Sequence, residues 1–350
     1  MNAPETRAEA LQRIFPKEPK FRLAQMEEAV FDDALNGWKD VSTIPFPVRD
    51  GLAEAGAPWL TYGESDAVVQ ESRDGQSLKA ALRLGDGSCI ETVLMANRRG
   101  QWTVCLSSQV GCAMRCAFCA TGRLGLSRSL SADEITDQLR FWRRRLLRRG
   151  GGERVSNIVM MGMGEPLANY ENVRDSLNLI LRRSGIGATR ITVSTVGVIP
   201  QLNRLLDDPD WPPVRLAVSL HSADLAVRQR LMPTTYGRFL EDLADWGRRY
   251  ARKLGNRRHH VTFEYLLLSG ENDRPEDARK LIALCRRIGR VKVNLIPYNA
   301  TDSGLTGSDE GTMEAFAEAL SAAGIDVTRR RSLGRDIDAA CGQLANRAAA

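Results

Sequence analysis

Short apolar segments alternate with helical patterns through the larger, second part of this 350-residue chain. The segments are rich in valine, isoleucine and leucine, and apolar residues at helical spacing follow them. They lie at 103–106, 155–161, 191–194, 214–219, 261–268 and 291–296. This order predicts six parallel strands joined by crossover helices, the pattern of an α/β barrel or part of one. In such barrels the functional groups lie where strands end and loops begin.

The region before residue 100 shows a different pattern. Apolar residues from Leu23 to Leu35 recur at helical spacing before Pro45 and Pro47, which predicts a small helical module that the prolines end. Two alternating segments flank Gly85-Asp86-Gly87, which is typical of a β-hairpin. We therefore expect a helical accessory domain over 1–55, a β-hairpin extension over 56–100, a barrel over 101–330 and a C-terminal segment over 331–350.

Cys112, Cys116 and Cys119 follow the first predicted strand of the barrel. A cubane iron–sulfur cluster usually takes four thiolates, so three from one loop leave one iron open to a small molecule. The alternative is structural zinc, but zinc sites usually pair two close cysteines with a second pair or with histidines. The chain's three histidines all lie far downstream, which favours the cluster. Seven cysteines, three of them this close together, are a poor disulfide framework and favour a reducing cytoplasm.

The chain is basic, with 49 lysines and arginines and a net charge of +6. Basic surface is typical of phosphate binding, although solvated helix faces of an arginine-rich protein would show the same pattern. No apolar run approaches the roughly 20 residues of a membrane span, and the first residues lack the layout of a secretory signal. We therefore expect a cytoplasmic protein without membrane contact. The arginines cluster at 143–145, 148–149, 257–258, 286–287 and 329–331.

Polar residues stand at the ends of the predicted strands. Glycine lets a backbone approach a ligand closely, and a carboxylate can accept hydrogen bonds from an ammonium group. Any one of these residues could simply cap a loop, but together they predict a ring of polar groups around one barrel mouth. The residues are Gly164, Glu165, Ser194, Ser219, His221 and Asn299.

Five segments of the chain resemble the RlmN/Cfr family of radical S-adenosylmethionine (SAM) RNA adenine methyltransferases. Residues 1–90 match this family only loosely, although the family also begins with a small helical domain. The resemblance implies a radical SAM partial (β/α)6 TIM-like barrel. It also implies a [4Fe-4S] cluster on the three loop cysteines and two SAM molecules per turnover. The segments are 107–112, 161–166, 219–221, 294–297 and 336–344.

The resemblance also implies a role for each candidate residue. Cys341 would take a methyl group from one SAM, and the cluster would reduce a second SAM to a radical that removes hydrogen from that methyl group. After the carbon radical adds to adenine, Glu91 would remove a proton from the base; the alternative for Glu91 is a solvent-facing strand carboxylate. Cys105 would then attack the sulfur of Cys341, which releases the RNA and leaves a disulfide for an external reductant.

The SAM contacts implied by the resemblance involve the ring of polar residues. Gly164 and Glu165 would hold the amino group of SAM. The ribose, carboxylate or adenine of SAM would contact Ser194, Ser219, His221 and Asn299.

The resemblance favours carbon 2 of an adenosine in 23S rRNA, with tRNA as a second candidate and a flavodoxin-like electron donor as partner. Residues 120–122 and 133–138 lean instead toward carbon 8, as in Cfr, whereas 164–166 and 262–265 look more like RlmN. The cysteine loop would also suit a radical SAM enzyme that acts on a protein or small molecule, or a structural cluster-binding protein. Polar and small residues surround Cys341, so it does not look like an ordinary buried cysteine, and neither of these two classes needs a carrier there.

Overall fold

A ten-stranded sheet is the frame of the protein. The structure, a computed structural model, describes residues 4–65, 67–97, 99–255 and 260–345. Its strands are β1 (Val68–Glu71), β2 (Ser77–Arg83), β3 (Cys89–Ala96), β4 (Trp102–Cys105), β5 (Gln109–Gly111), β6 (Leu126–Ser129), β7 (Val155–Met160), β8 (Ile191–Thr195), β9 (Arg215–Ser219), β10 (Val261–Leu267), β11 (Val291–Pro297) and β12 (Asp326–Arg329). The sheet order is β1-β2-β3-β4-β7-β8-β9-β10-β11-β12, and β5 pairs with β6 alone.

Helices connect the strands of the barrel and form the N-terminal module. They are α1 (Arg7–Ile14), α2 (Phe21–Val30), α3 (Phe46–Glu54), α4 (Ala120–Arg123), α5 (Ala132–Arg149), α6 (Tyr170–Arg183), α7 (Ile199–Asp207), α8 (Leu225–Leu231), α9 (Phe239–Lys253), α10 (Pro275–Ile288) and α11 (Glu310–Ala322). Within the described ranges, none of them has the length and apolar character needed to cross a membrane.

All six predicted barrel strands form, and each is parallel to its neighbour along the chain. A seventh parallel strand, β12, extends the row beyond β11. The sequence analysis did not predict β12, because its four mostly exposed residues include no apolar run. The sheet has two edge strands, β1 and β12, so it is an open, partial barrel, as expected.

The predicted hairpin is part of the same sheet. Strands β2 and β3 pair antiparallel, and β3 in turn pairs antiparallel with β4, the first barrel strand. The register sets Val93 opposite Cys105. The extension therefore places β3 directly beside the strand that leads to the cysteine loop.

The prolines of the N-terminal module begin a helix, so the prediction that they end one is wrong. Pro45 is the N-cap of α3 and Pro47 lies in its first turn, where a missing backbone N–H is tolerated. The preceding helix, α2, already ends at Val30.

Helix α5 joins the N-terminal module to the barrel. It begins at a capping box, in which Ser131 and Glu134 each accept a hydrogen bond from the other's backbone N–H. The buried guanidinium of Arg7 in α1 forms ion pairs of 2.9 Å with Asp133 and 2.6 Å with Asp137. Because a broken buried ion pair is costly, these contacts fix the module on α5.

Candidate active site at the barrel mouth

The cysteine loop lies between the paired strands β5 and β6, and backbone hydrogen bonds hold it in place. The N–H of Cys112 donates to the carbonyl of Gly125 at 2.8 Å, and that of Ala117 donates to Leu231 at 2.9 Å. Gly111 has φ +79°, and a Cβ there would lie 1.9 Å from the Gly125 carbonyl oxygen, so only glycine fits. The loop is thus anchored to β6 and to the end of α8.

The three loop cysteines fit an iron–sulfur cluster. All are free thiols and line one pocket, called here the cluster pocket, together with Gly164 and Glu165. Burial raises the pKa of Cys112 to about 11, and burial together with the other two thiols raises the pKa of Cys116 further. Among the described residues, no three His, Cys, Asp or Glu side chains converge closely enough to hold a metal ion, so the choice of a cluster over zinc rests on the loop's three thiolates, which lack the fourth ligand of a zinc site.

The glycine-rich turn after β7 packs against the chain that leads to the cysteine loop. A Cβ on Gly162 would lie 2.6 Å from the hydroxyl of Ser107, and one on Gly164 would lie 2.6 Å from the Cβ of Gln109. The carbonyl of Met163 accepts hydrogen bonds from the N–H groups of residues 108 and 109. These two glycines therefore let the turn after β7 pack closely against the backbone of residues 107–109, beside the site.

Glu165 links the ends of two barrel strands from a buried position. Its carboxylate accepts hydrogen bonds from the N–H of Leu167 at 2.9 Å and from that of Val196, after β8, at 2.8 Å. Burial is the main influence on this group and raises its pKa. The side chain lines the cluster pocket, and carboxylate oxygens can accept more than one hydrogen bond, so acceptor sites remain for a ligand.

Ser194, Ser219 and His221 also line the cluster pocket, as the strand-end pattern predicted. The two serine hydroxyls are 3.3 Å apart. The Nδ1 of His221 accepts a hydrogen bond from the N–H of Leu266 at 3.0 Å, and its ring meets Phe118 edge to face. Burial, followed by the charge of Arg228, lowers the pKa of His221 to about 3, so this histidine is neutral at physiological pH.

Asn299 is placed differently from the other five members of the predicted ring. It lines a neighbouring pocket instead of the cluster pocket. Its Nδ2 donates to the carbonyl of Cys341 at 3.2 Å, and its Oδ1 accepts from Nε of Arg335 at 2.9 Å. The amide thus holds the C-terminal segment in place, and its contact with SAM stays a prediction.

Cys105 and Cys341 line this second pocket, which we call the thiol pocket. Cys105 is buried at the end of β4, whereas Cys341 is exposed on the C-terminal segment, and both are free thiols. Burial, with a further contribution from Cys341, raises the pKa of Cys105 to about 12. Cys341 also lines the cluster pocket, so the two pockets share one thiol.

Glu91 is fully buried on β3, so the alternative of a solvent-facing carboxylate is wrong. The strand lies between β2 and β4, and the C-terminal segment covers it. One carboxylate oxygen is 3.3 Å from Nζ of Lys79, and the other accepts from the N–H of Ala345 at 2.8 Å. Glu91 is not among the residues that line either pocket.

Sequence reasoning missed three charged residues at or beside the site, the buried Arg228 and Glu264 and the partly exposed Arg330. Glu264 interrupts an apolar strand, which was a usable signal, and its oxygens contact Asn294 at 2.8 Å and Arg330 at 3.2 Å. Arg330 belongs to a basic run and Arg228 to an amphipathic helix, so neither stands out in the sequence.

The arginine clusters of α5 are largely neutralised. They form ion pairs with carboxylates of the N-terminal half. A separate predicted cluster, Arg257 and Arg258, lies outside the described residues. Such paired arginines are less available for phosphates than free ones. The pairs join Arg143 to Asp33, Arg144 and Arg148 to Glu64, and Arg149 to Glu71.

Comparison with known proteins places this chain in a family. Residues 106–282 match the family model described as the radical SAM superfamily. A solved structure described as a radical SAM methyltransferase from Sphaerobacter thermophilus superposes with a TM-score of 0.86 at 37% sequence identity. The alignment covers 98% of each chain.

Curated relatives match most of the chain. A probable dual-specificity RNA methyltransferase RlmN from Moorella thermoacetica is 48% identical over 77% of this chain and 76% of its own length. The protein of the same description from Chlorobium phaeovibrioides is 40% identical over 94% of this chain and 88% of its own. A ribosomal RNA large subunit methyltransferase N from Nitrosopumilus maritimus is 38% identical over 87% and 86%.

Proposed function

This chain belongs to the RlmN family of the radical SAM superfamily, and we propose that it methylates carbon 2 of an adenosine in 23S rRNA. The relatives' descriptions support RNA as the substrate class, and the description of some as dual-specificity RNA methyltransferases supports tRNA as our second candidate substrate. One observation carries the proposal. Cys341 lines both the cluster pocket and the thiol pocket, so a group carried on its sulfur lies between the cofactors and Cys105.

The target explains why such a carrier is needed. Carbon 2 of adenine is an sp² amidine carbon and a poor nucleophile, so it cannot take a methyl group directly from the SAM sulfonium. When bound, a [4Fe-4S] cluster and SAM would supply one-electron chemistry that makes the carried methyl group reactive. Cys112, Cys116 and Cys119 would hold the cluster. Two SAM molecules are used per turnover, one as methyl donor and one for the radical step.

The chain's own residues perform the polar steps. The thiolate of Cys341 forms a bond to the methyl carbon of SAM, whose sulfur leaves with the electron pair. Glu165 and Gly164 hold the amino group of the second SAM, and Ser194 and Ser219, as neighbouring hydroxyls, bind another of its polar groups. In neutral His221 the Nδ1 accepts from Leu266, so the Nε2–H is the nitrogen group that can donate to the ligand, and the ring adds no positive charge next to the sulfonium.

Release of the product uses Cys105. Its thiolate attacks the sulfur of Cys341, an S–S bond forms, and the bond from that sulfur to the carbon on adenine breaks. The carbon keeps the electron pair and takes a proton to become a methyl group. The disulfide is then reduced by an external dithiol, and a flavodoxin-like protein supplies electrons to the cluster.

Glu91 is the proposed base that removes the proton from adenine. In this structure the C-terminal segment covers its carboxylate through the N–H of Ala345. This segment therefore has to shift when the adenosine enters, and its shift exposes the base at the same time.

The RNA approaches from the mouth of the barrel. Arg331 is exposed beside Cys341 in the thiol pocket. Arg335 is exposed as well, and its guanidinium bonds the neutral amide of Asn299. These two rim arginines are better placed to contact phosphates near the target nucleotide than the ion-paired arginines of α5.

A product analysis tests the function. The cluster is reconstituted without oxygen, the enzyme is incubated with SAM, reductant and unmodified 23S rRNA, and the digested RNA is analysed by mass spectrometry. We expect 2-methyladenosine. An 8-methyladenosine product would overturn the regiochemistry and place the chain in the Cfr-like branch. Formation of 5′-deoxyadenosine without methylated 23S rRNA or tRNA would overturn the substrate.

A further inference from the structure

The guanidinium of Arg330 lies at the junction of the two pockets. Arg330 lines both the cluster pocket and the thiol pocket, and so does Cys341. Burial opposes the charge of Arg330, but Glu264, and then Cys341 and Cys105, favour it and raise its pKa above the ordinary value. One cation is thus shared by the two thiols that act in succession in the proposed function.

Two contacts of the side chain and one of the backbone fix the position of Arg330. Its Nη1 is 3.2 Å from Oε2 of Glu264 and 3.4 Å from the sulfur of Met161. Its backbone N–H donates to the carbonyl of Leu295 on β11 at 2.8 Å. The other oxygen of Glu264 accepts from Asn294, so the carboxylate that supports the arginine is itself held. A cation held in this way keeps a fixed position relative to the sulfur atoms.

A buried thiol needs such a cation in order to act as a nucleophile. The thiolate is the reactive form, and burial alone strongly disfavours it at Cys105. Burial and Cys341 oppose ionisation of the Cys105 thiol, whereas a hydrogen bond from the backbone of Met161 and then the charge of Arg330 favour it. A guanidinium stays charged at every working pH, so its effect does not depend on its own titration.

We propose that Arg330, supported by Glu264, is a positioning residue that holds the sulfurs of Cys105 and Cys341 for exchange and stabilises the attacking thiolate of Cys105. The inference rests on the proposed function, because it assumes that these two cysteines form a disulfide. The attacking sulfur loses its proton to solvent before the S–S bond forms, and the arginine only stabilises the resulting charge.

Formation of the disulfide without RNA or SAM tests this role. The reduced, cluster-reconstituted protein is treated with the thiol oxidant diamide, which takes up the two electrons. The rate of Cys105–Cys341 disulfide formation is followed by site-resolved mass spectrometry. In Arg330→Gln the side chain can still hydrogen-bond Glu264 but is neutral, whereas Arg330→Lys keeps the charge. Arg329→Met is the matched control, because the neighbouring Arg329 is ion-paired with Glu310.

We expect Arg330→Gln to form the disulfide about tenfold more slowly, equivalent to about 1.4 kcal/mol. Arg330→Lys should stay within about threefold of the wild type and Arg329→Met within about twofold. Equal rates for the Gln and Lys variants would overturn the proposal, because packing alone would then explain the residue. If Arg330→Gln folds poorly, the double variant Glu264→Gln/Arg330→Gln, which removes both charges, should show the same slow rate.

The same experiment separates the pairing of the two cysteines from the role of Arg330. A wild-type protein that forms no Cys105–Cys341 disulfide with diamide would contradict the proposed pairing of the cysteines. A wild-type protein that forms it readily, with Arg330→Gln equally fast, would leave the pairing intact and remove only the role of Arg330.

Discussion

Arg228 supports the loops on which the cluster pocket is built. Its Nε donates to the carbonyl of Leu220 at 3.1 Å, and its Nη2 donates to that of Val196 at 2.6 Å. Nη1 donates to the hydroxyl of Thr235, and the guanidinium lies 3.5 Å from the centre of the Phe239 ring. Because Val196 follows β8 and Leu220 follows β9, one side chain joins the ends of two neighbouring barrel strands.

Replacement of this arginine by methionine removes these contacts. Each buried acceptor left without its donor costs about 1–3 kcal/mol, and a desolvated cation over an aromatic ring contributes about 2 kcal/mol more. Burial opposes the charge and lowers the pKa of Arg228 to about 9, so loss of the cation recovers part of that cost. We expect Arg228→Met to lower the free energy of unfolding by about 3–5 kcal/mol, as is typical when a buried charged network is broken.

Urea denaturation of the reduced protein, followed by tryptophan fluorescence, measures this change. The matched control is Arg230→Met on the same helix, because Arg230 is exposed and ion-paired with Glu271. It should change the free energy of unfolding by less than about 1 kcal/mol. The reasoning is refuted if Arg228→Met also stays within about 1 kcal/mol of the wild type, or if the two variants lose the same amount.

Three further predictions concern pH, domain docking and RNA binding. Unfolded histidine binds a proton below pH 6.5 but folded His221 only near pH 3, so stability falls as the pH drops through this window. Asparagine at this position keeps an acceptor for the N–H of Leu266 and tolerates the positive φ. We expect His221→Asn to make the free energy of unfolding fall less steeply with decreasing pH, by up to about 1.4 kcal/mol per pH unit in urea titrations. Asp137→Ala removes the carboxylate partner of buried Arg140 and leaves Arg7 with Asp133 alone, so it should cost about 3–5 kcal/mol of unfolding free energy, whereas a loss below about 1 kcal/mol would contradict the docking role. The slope of log RNA affinity against log salt concentration, measured by filter binding, should fall in the double variant Arg331→Gln/Arg335→Gln by the amount that about two lost phosphate contacts produce. Arg148→Gln should leave this slope unchanged. The opposite ranking would place the RNA on α5.

The strands that carry the site could be predicted because they are buried on both faces. A parallel strand covered by helices is mainly apolar, as at 155–160 and 261–267, where only two residues of each strand are polar. β12 has no such run, because it is a short, mostly exposed edge strand that takes its position from β11. The pattern around Pro45 and Pro47 was misread because proline also favours the first turn of a helix.

The site residues that could be predicted are those whose chemical type and position at a strand end are both visible in the sequence. The cysteine loop, Glu165 and the two serines lie in one pocket because parallel strands bring their carboxyl ends to the same edge. The position of Asn299 beside Cys341 depends on the path of the C-terminal segment, which no local pattern specifies. For the same reason, the junction role of Arg330 emerges only when β12 lies next to β11.

Transfer of the methyl group to Cys341 is the most direct test of this account. The reconstituted enzyme is incubated with SAM in the absence of RNA, and peptide mass spectrometry locates any added methyl group. We expect one methyl group on Cys341, and we expect it to pass to the RNA when RNA is added. The variant Cys341→Ala should methylate no RNA. RNA methylation that persists in Cys341→Ala, or an unmodified Cys341 in an enzyme that methylates RNA, would contradict this account.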